Sequence, residues 1–515
     1  MGSTQSTPNP AQQVIIDRLR TLGLSEEEQA NEDGFVEVNN DLESNGSLNE
    51  KTLGALRLSP TTLDVNQLED WQTRLLEDPK NRLALSALSA ANPREVLTSR
   101  AAKVSDQQVF NVRVPFEGAP VTNQRSSGRC WLFAATNVFR VALMRKYSLD
   151  SFELSQAWLF FWDKLEKANW FLEQVVDTAG LDLDSRLVQA LVRAPLSDGG
   201  QWDMVYNLVR KYGLVPQVLY PDSFNAASSS VINSIVFTKL REDALILRNL
   251  LKSPSTTASS LAAARAKMLK EIHAILTLTL GPPPAPTEEF VWQFADRAGR
   301  AREVRRTPLA FARDIWSPEF RVGSSVIAGL VSLVHDPRNP PLSLLTVDRL
   351  GNVVGGRGVT YVNVDGVQTL KAACVAMLRA GFPVFFGSDV GKFSDRASGV
   401  MDLDLIDYEL GFNVGLLGMD KAARLRTGES AMTHAMVLTA VHVDEETGKT
   451  VRWRVQNSWG TASGEEGWFV MSDRWMDEFV YQAVVDRRFL SKEVRNVLKK
   501  EPIVLPLWDP MGALA

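Results

Sequence analysis

The chain has 515 residues, 45% of them apolar and 23% charged, with 56 Lys and Arg against 61 Asp and Glu. That length exceeds one ordinary core and predicts two or more subdomains, while the composition is that of a globular protein. A net charge of -5 argues against a dedicated nucleic-acid or acidic-membrane binder, and two cysteines cannot build a disulfide framework.

Scarce cysteine predicts a reducing compartment. The N-terminus is polar and lacks the apolar stretch of a secretory signal. The run VIAGLVSLV at 326–334 is sized for a core, well short of the roughly 20 residues that cross a bilayer. The expectation is a cytoplasmic protein with no transmembrane segment. The opening MGSTQS fits an N-myristoylation pattern with Gly2 as the acceptor, and a single acyl chain there would give weak membrane anchoring only.

Residues 1–65 are poor in aromatics and carry NNDLESNGSLNE, a composition that buries little surface and predicts a flexible arm. Helical spacing begins in TTLDVNQLEDWQTRLLED. The pattern predicts a helix from Cys130 to Tyr147, a second from Phe152 to Phe171, and a third from Trp202 to Tyr212 closed by Gly213. VFTKLREDALILRNLLK and LAAARAKMLKEIHAILTLTL extend the helical character until GPPPAPTEEF breaks it. From about residue 350 the runs turn to strand type: GVTYVNV, PVFFGSDV, AMVLTAVHV. Helices followed by strands predict an α+β fold. The expected divisions are a helical lobe at 66–214, a mainly helical subdomain at 215–380, a β-rich lobe at 381–500 and a C-terminal arm at 501–515.

Cys130 stands where the polar, turn-like NQRSSGR gives way to the first of these helices. A thiol at a helix N-terminus meets the positive end of the dipole, which favours thiolate, and Arg129 beside it adds positive charge. The chain has four histidines. His273 falls in an amphipathic pattern and His335 before Asp-Pro, and both read as structural. His434 opens AMVLTAVHV, which the turn cluster DEETGK separates from TVRWRVQ. In the resulting hairpin His434 and Asn457 are mirror positions, so the amide is placed to hold the imidazole in one tautomer. His442 faces another part of the hairpin. Thiol, base and orienting amide form a Cys-His-Asn set for acyl transfer, with Gln124 and the Cys130 N–H as oxyanion donors.

The segments QRSSGRCW, THAMVLTAV and QNSWG resemble the papain-like cysteine peptidases, and more narrowly the bleomycin hydrolase / aminopeptidase C family. DGGQWDMVYNLVRKYGLVP, MDLDLIDYELGFN and the terminal VLPLWDPMGALA carry the same resemblance, which spans about 65–515. It implies a papain-like two-lobed fold, a helical lobe plus a β-barrel-like lobe, with a large insertion. It also implies that Cys130 is the nucleophile, His434 the base and acid, Asn457 the orienter and Gln124 the oxyanion donor. Gly199 and Gly200 would bind an extended peptide through their backbone, and Trp459 would shield the His-Asn pair. No cofactor or metal is implied.

Two departures from the wider papain pattern stand out. Ser127 occupies the position where secreted members carry a disulfide cysteine, in keeping with a reducing compartment. Cys130 and His434 lie 304 residues apart, against about 130–150 in the papain/cathepsin signature. No inhibitory pro-segment is expected. In the resembled family the C-terminal arm enters the cleft, so the Ala515 carboxylate would pair with the free amino group of a peptide substrate and make the enzyme an aminopeptidase. The resemblance further implies a homohexamer and a bleomycin hydrolase-like side activity. The alternative is a single-stranded nucleic-acid-binding barrel, for which RAGRAREVRR at 297–306, read as a solvated helix face, is the basic stretch available.

Overall fold

The computed structural model describes residues 62–313 and 329–514. Gly2, nearly all of the expected N-terminal arm, and Ala515 lie outside them. The chain divides into two compact units, the first joining the residues up to Thr98 with Asp407–Met419, the second comprising Ser99–Ile406 and Asp420 onward.

In the first unit, helices α1 (Val65–Glu77) and α2 (Pro79–Leu88) meet at a tight corner. Asp64 caps α1 by accepting from Asn66 N–H, and Asp78 caps α2 from Lys80 N–H, with Pro79 at the first helical position where no donor is missed. Neither helix buries a residue fully.

In the second unit α3 (Cys130–Tyr147) is buried on all sides from Cys130 to Met144 and ends where Ser148 turns left-handed. Buried Arg140 crosses from its middle to the carbonyl of Pro120 at 2.6 Å, tying the helix to the preceding loop. Helix α4 (Gln156–Asp177) starts at Ser155, whose hydroxyl accepts from Trp158 N–H at 3.0 Å. Helix α5 (Trp202–Tyr212) ends at Gly213, whose φ of +75° and contact with the Pro308 carbonyl leave no room for a Cβ. Two long helices, α6 (Ser230–Lys252) and α7 (Ala258–Leu280), pack on α4; Met268, Ile272, Leu276 and Leu280 form the buried stripe of α7.

Strands β1 (Phe290–Ala295) and β2 (Ala301–Arg306) make an isolated hairpin. The basic run at 297–306 is therefore the turn and second strand of a hairpin, not a helix face. Four of its arginines have local carboxylate partners: Arg297 pairs with Asp150, Arg300 and Arg302 with Asp296, Arg305 with Glu303.

The remaining strands build one twelve-stranded sheet. It contains β3 (Leu330–Val334), β4 (Ser343–Val347), β5 (Thr360–Asn363), β6 (Val384–Ser388), β7 (His434–Val443), β8 (Thr450–Gln456), β9 (Trp468–Ser472), β10 (Val480–Asp486) and β11 (Ile503–Leu505). Their order is β11-β4-β5-β3-β10-β6-β7-β8-β9, extended beyond β9 by two-residue strands at Val400–Met401 and Ser394–Asp395, and a further two-residue strand, Val112–Arg113, pairs with β7 off this path. The 215–380 segment is thus not a separate insertion throughout. Its last part, β3 to β5, belongs to the central sheet, because LVSLV is buried on both faces and needs neighbours on both sides. No helix of the described residues is long and apolar enough to cross a membrane.

Candidate active site

Strand β7 lies centrally, between β6 and β8, and α3 packs against it. This contact brings the first residue of the helix to the first residue of the strand. Cys130 is 3% exposed and His434 4%. The backbone N–H of Ala435, next to the histidine, bonds the Cys130 sulfur, as do the N–H groups of Trp131 and Cys130. Those donors favour the thiolate, but burial outweighs them and pushes the thiol up to about 11. The expectation that Arg129 would add to the favouring of thiolate is corrected by its position. Arg129 points away: its guanidinium pairs with Asp222 at 2.7 and 2.9 Å, its Nε donates to Ser127 Oγ at 2.9 Å, and Phe133 and Phe160 cover it.

Burial likewise holds the His434 imidazolium down to about 4, with the Asn457 hydrogen bond opposing. Nε2 of His434 lies 2.8 Å from Asn457 Oδ1, which also accepts from Ser458 N–H at 2.8 Å. Because the amide oxygen accepts, Nε2 is the protonated nitrogen and Nδ1 the unprotonated one. The register differs from the mirror-image reading of the hairpin: Val437 pairs with Gln456, two positions beyond Arg454. A shift of two preserves the face, so Asn457 stays on the side of His434, as a diagonal neighbour. The residue brought opposite is Trp459, whose indole stacks on the imidazole with centroids 4.8 Å apart. Arg396 covers the indole's other surroundings at 5.1 Å and Phe469 meets it edge-on.

Gln124 is buried and fixed at both ends of its amide. Ser458 Oγ donates to Oε1 at 2.6 Å, and Nε2 donates one proton to the Ser127 carbonyl at 2.7 Å. That leaves the second N–H proton of the amide for a ligand at the helix mouth.

Gly199 and Gly200 follow as a loop against Trp131. A Cβ on Gly200 would fall 2.6 Å from the indole, so the loop approaches the helix only as glycine. Beneath it lies a set of charges that sequence reasoning missed. Lys167 donates to the Gly199 carbonyl at 2.6 Å and the Ser197 carbonyl at 2.9 Å, and pairs with fully buried Asp163 at 2.7 Å. Lys164 pairs with Asp198, which also accepts from Ser229, from Asn233 at 2.8 Å and from Gly128 N–H at 3.1 Å. The Asp198 carbonyl takes the Trp131 indole N–H at 2.7 Å. Asp198 is held well below the usual carboxylate range; its burial acts against that, but the Lys164 charge and these hydrogen bonds outweigh it. Ion pairs thereby fasten the glycine loop to α4, and the Gly128 N–H bond to Asp198 joins it to the loop before Cys130. The only hint in the sequence was the i,i+4 spacing of Asp163 and Lys167, which on a surface helix means little.

The C-terminal segment reaches the same loop. Strand β11 pairs in parallel with β4, and Asp509 is clamped by Arg338 at 2.8 Å. Trp508 lies under the Arg186 guanidinium at 4.0 Å, Tyr361 donates to the Met511 carbonyl at 3.1 Å, and Gln201, next to Gly200, donates to the Ala513 carbonyl at 2.8 Å. A cavity of about 360 Å³ borders this segment, lined by Trp170, Leu191, Trp508 and Leu514 among others. The expected tail is an anchored strap up to its penultimate residue, while Ala515 lies beyond the described residues. His273 stands edge-on to Phe161, and His335 and His442 are elsewhere in the unit; none is part of this site.

A buried thiol at a helix start, packed against a strand that carries a hydrogen-bonded imidazole–amide pair, defines a papain-like cysteine hydrolase. The chain belongs to the Peptidase C1-like family, whose profile matches residues 62–512. It is 44% identical over 467 residues to a Saccharomyces cerevisiae protein named cysteine proteinase 1, mitochondrial, covering 89% of this chain and 94% of the relative. It is 42% identical over 464 residues to Homo sapiens bleomycin hydrolase, covering 89% of this chain and 100% of that protein. Among solved structures, PepW from Lactobacillus rhamnosis superposes with a TM-score of 0.83 at 39% identity, covering 88% of this chain and 100% of that one.

Proposed function

We propose that the chain is a cysteine aminopeptidase that removes N-terminal residues from peptides by acyl transfer through Cys130. Neither resting group carries charge, since burial disfavours the thiolate and the imidazolium alike. Passing the thiol proton to His434 Nδ1 creates opposite charges side by side, each stabilising the other where water cannot screen them. The sulfur attacks the scissile carbonyl; the oxyanion takes the Cys130 N–H and the free Nε2 proton of Gln124. His434 returns its proton to the leaving amine, and water then cleaves the thioester with His434 again as base.

The observation that carries the exopeptidase reading is the hydrogen bond from Gln201, next to Gly200 of the glycine loop, to the Ala513 carbonyl. A peptide lying along that loop runs into the strap, and the Ala515 carboxylate meets its free amine. The test compares a free-amine aminoacyl substrate with its N-acetylated twin, on the full chain and on a chain lacking Gly512–Ala515. Cleavage of the free amine alone by the full chain, with the shortened chain accepting both, is the expected result. Equal cleavage of both by the full chain would make the enzyme an endopeptidase.

The name of the human relative supports a bleomycin hydrolase-like amide hydrolysis as a side activity, to be read by loss of the drug's terminal amide. A cytoplasmic location is proposed, although the yeast relative is named mitochondrial; fractionation with compartment markers decides it. Assembly as a homohexamer is supported by exposed Leu68, Trp71, Leu75, Leu83 and Leu85 on α1 and α2 and exposed Leu410 and Phe412 in the same unit. Light scattering should give six times 57.1 kDa.

A further inference from the structure

Away from the thiol, helix α8 (Lys492–Val497), the end of β10 and the approach to β5 border a cavity of about 690 Å³. Buried Leu344 lies at its floor, and Arg357, Arg487, Lys492, Arg495 and Lys499 surround it, with no carboxylate and no aromatic ring in the lining. The concentration is not compositional, because acidic residues outnumber basic ones in the chain. Nor are these charges answered within the fold. Among the described residues Arg487, Lys492, Arg495 and Lys499 have no ion-pair partner, whereas Arg297, Arg300, Arg302 and Arg305 of the β1–β2 hairpin are paired with nearby carboxylates.

Arg357 is the exception and it is informative. Asp203 of α5 holds its Nε at 2.9 Å, and its guanidinium lies 5.4 Å from the Tyr206 ring. One cation is therefore oriented in advance, and the others stand around it on mobile stems. Like charges gathered about a cavity repel one another, a cost that an anion of several charges removes. Guanidinium forks match phosphate oxygens, and the volume lies within the usual range for small-molecule sites.

We infer that this cavity binds a small polyphosphate, a soluble ligand carrying two or more linked phosphate groups. A single-stranded nucleic acid fits less well, since strand-binding surfaces use aromatic platforms for the bases and this lining has none.

The experiment is a calorimetric titration of inorganic tripolyphosphate into the full chain at fixed ionic strength, with orthophosphate and a short single-stranded oligonucleotide as comparisons. Saturable binding of one tripolyphosphate per chain, about tenfold or more tighter than orthophosphate, is expected from the added charge-assisted contacts. The double variant Arg487→Gln/Arg495→Gln should lose at least about tenfold in that affinity while hydrolysing the free-amine substrate normally. Lys492→Gln/Lys499→Gln is the second pair, should the first fail to fold. Absence of saturable heat, undiminished binding by both variants, or tighter binding of the oligonucleotide than of tripolyphosphate overturns the proposal. So does a change of oligomeric state in the variants with tripolyphosphate affinity unmoved, which would assign the cations to a subunit contact.

Discussion

Gln124 shows how much a single side chain is constrained before it does any chemistry. Its oxygen is held by Ser458 and one of its N–H protons by the Ser127 carbonyl, so the amide cannot flip. In the proposed mechanism the remaining proton acts on charge that appears only in the transition state. Gln124→Ala should therefore lower kcat by about a hundredfold or more with KM little changed, a split that steady-state kinetics resolves. Gly200 makes the opposite case, a residue defined by what it lacks. In Gly200→Ala the new methyl meets the Trp131 ring, and either the indole or the loop must give way. In the proposed function the peptide lies along that loop, so KM for peptides should rise, while alkylation of Cys130 by a small reagent such as iodoacetamide should change less. Equal loss of both would mean the helix itself had been displaced.

At the level of elements, the join between α4 and the glycine loop is the part with no counterpart in sequence reasoning. Lys167 holds two loop carbonyls and one buried carboxylate. Lys167→Met keeps the length of the stem but leaves Asp163 buried without its cation, a loss of about 3–5 kcal/mol for a buried pair broken on one side. The variant Lys167→Met/Asp163→Leu removes both charges and should recover much of that stability, yet not the KM for peptides, because the Gly199 carbonyl is still unheld. Chemical denaturation and kinetics on the pair of variants separate the two effects. The helices at Cys130–Tyr147 and Trp202–Tyr212 were legible to the residue because apolar runs with sharp ends, a polar loop before one and a glycine after the other, leave little freedom. The His434–Asn457 partnership was legible too, since hairpin symmetry tolerates a shift of two. The buried lysines and aspartates were not, because charges spaced along a helix look alike whether they face water or one another. Nor was the role of Arg129, whose neighbour in sequence suggested one partner while Asp222, far along the chain, supplied another.

For the whole molecule, titration of buried histidines couples stability to pH. His434 and His335 are both held down to about 4 from 6.5, by burial in each case and, for His335, also by the Lys421 charge. Between those values the unfolded chain takes up protons that the folded chain refuses, so stability falls as pH drops from 6.5 toward 4. Unfolding midpoints measured across that window should decline with acidity, and His335→Asn should make the decline shallower without touching the catalytic groups. The central sheet was only partly foreseen: strand-type runs were read from about residue 350, yet β3 and β4 lie earlier, inside what looked like a helical insertion. Strands so short and so fully buried carry no alternation to betray them.

The strap that ends near the glycine loop begins as β11, and that strand closes one margin of the sheet by lying along β4. Pro502 and Pro506 bracket it, residues that offer no N–H to a further strand. The tail thus does two jobs along its length. In the proposed function its outermost residues select which peptides enter, whereas Ile503–Leu505 keep β4 from offering an open, apolar border to another molecule. A protease or a frameshift that clips after Leu505 would leave a soluble enzyme with altered taste; one that clips before Ile503 would leave a chain inclined to stick to its own kind.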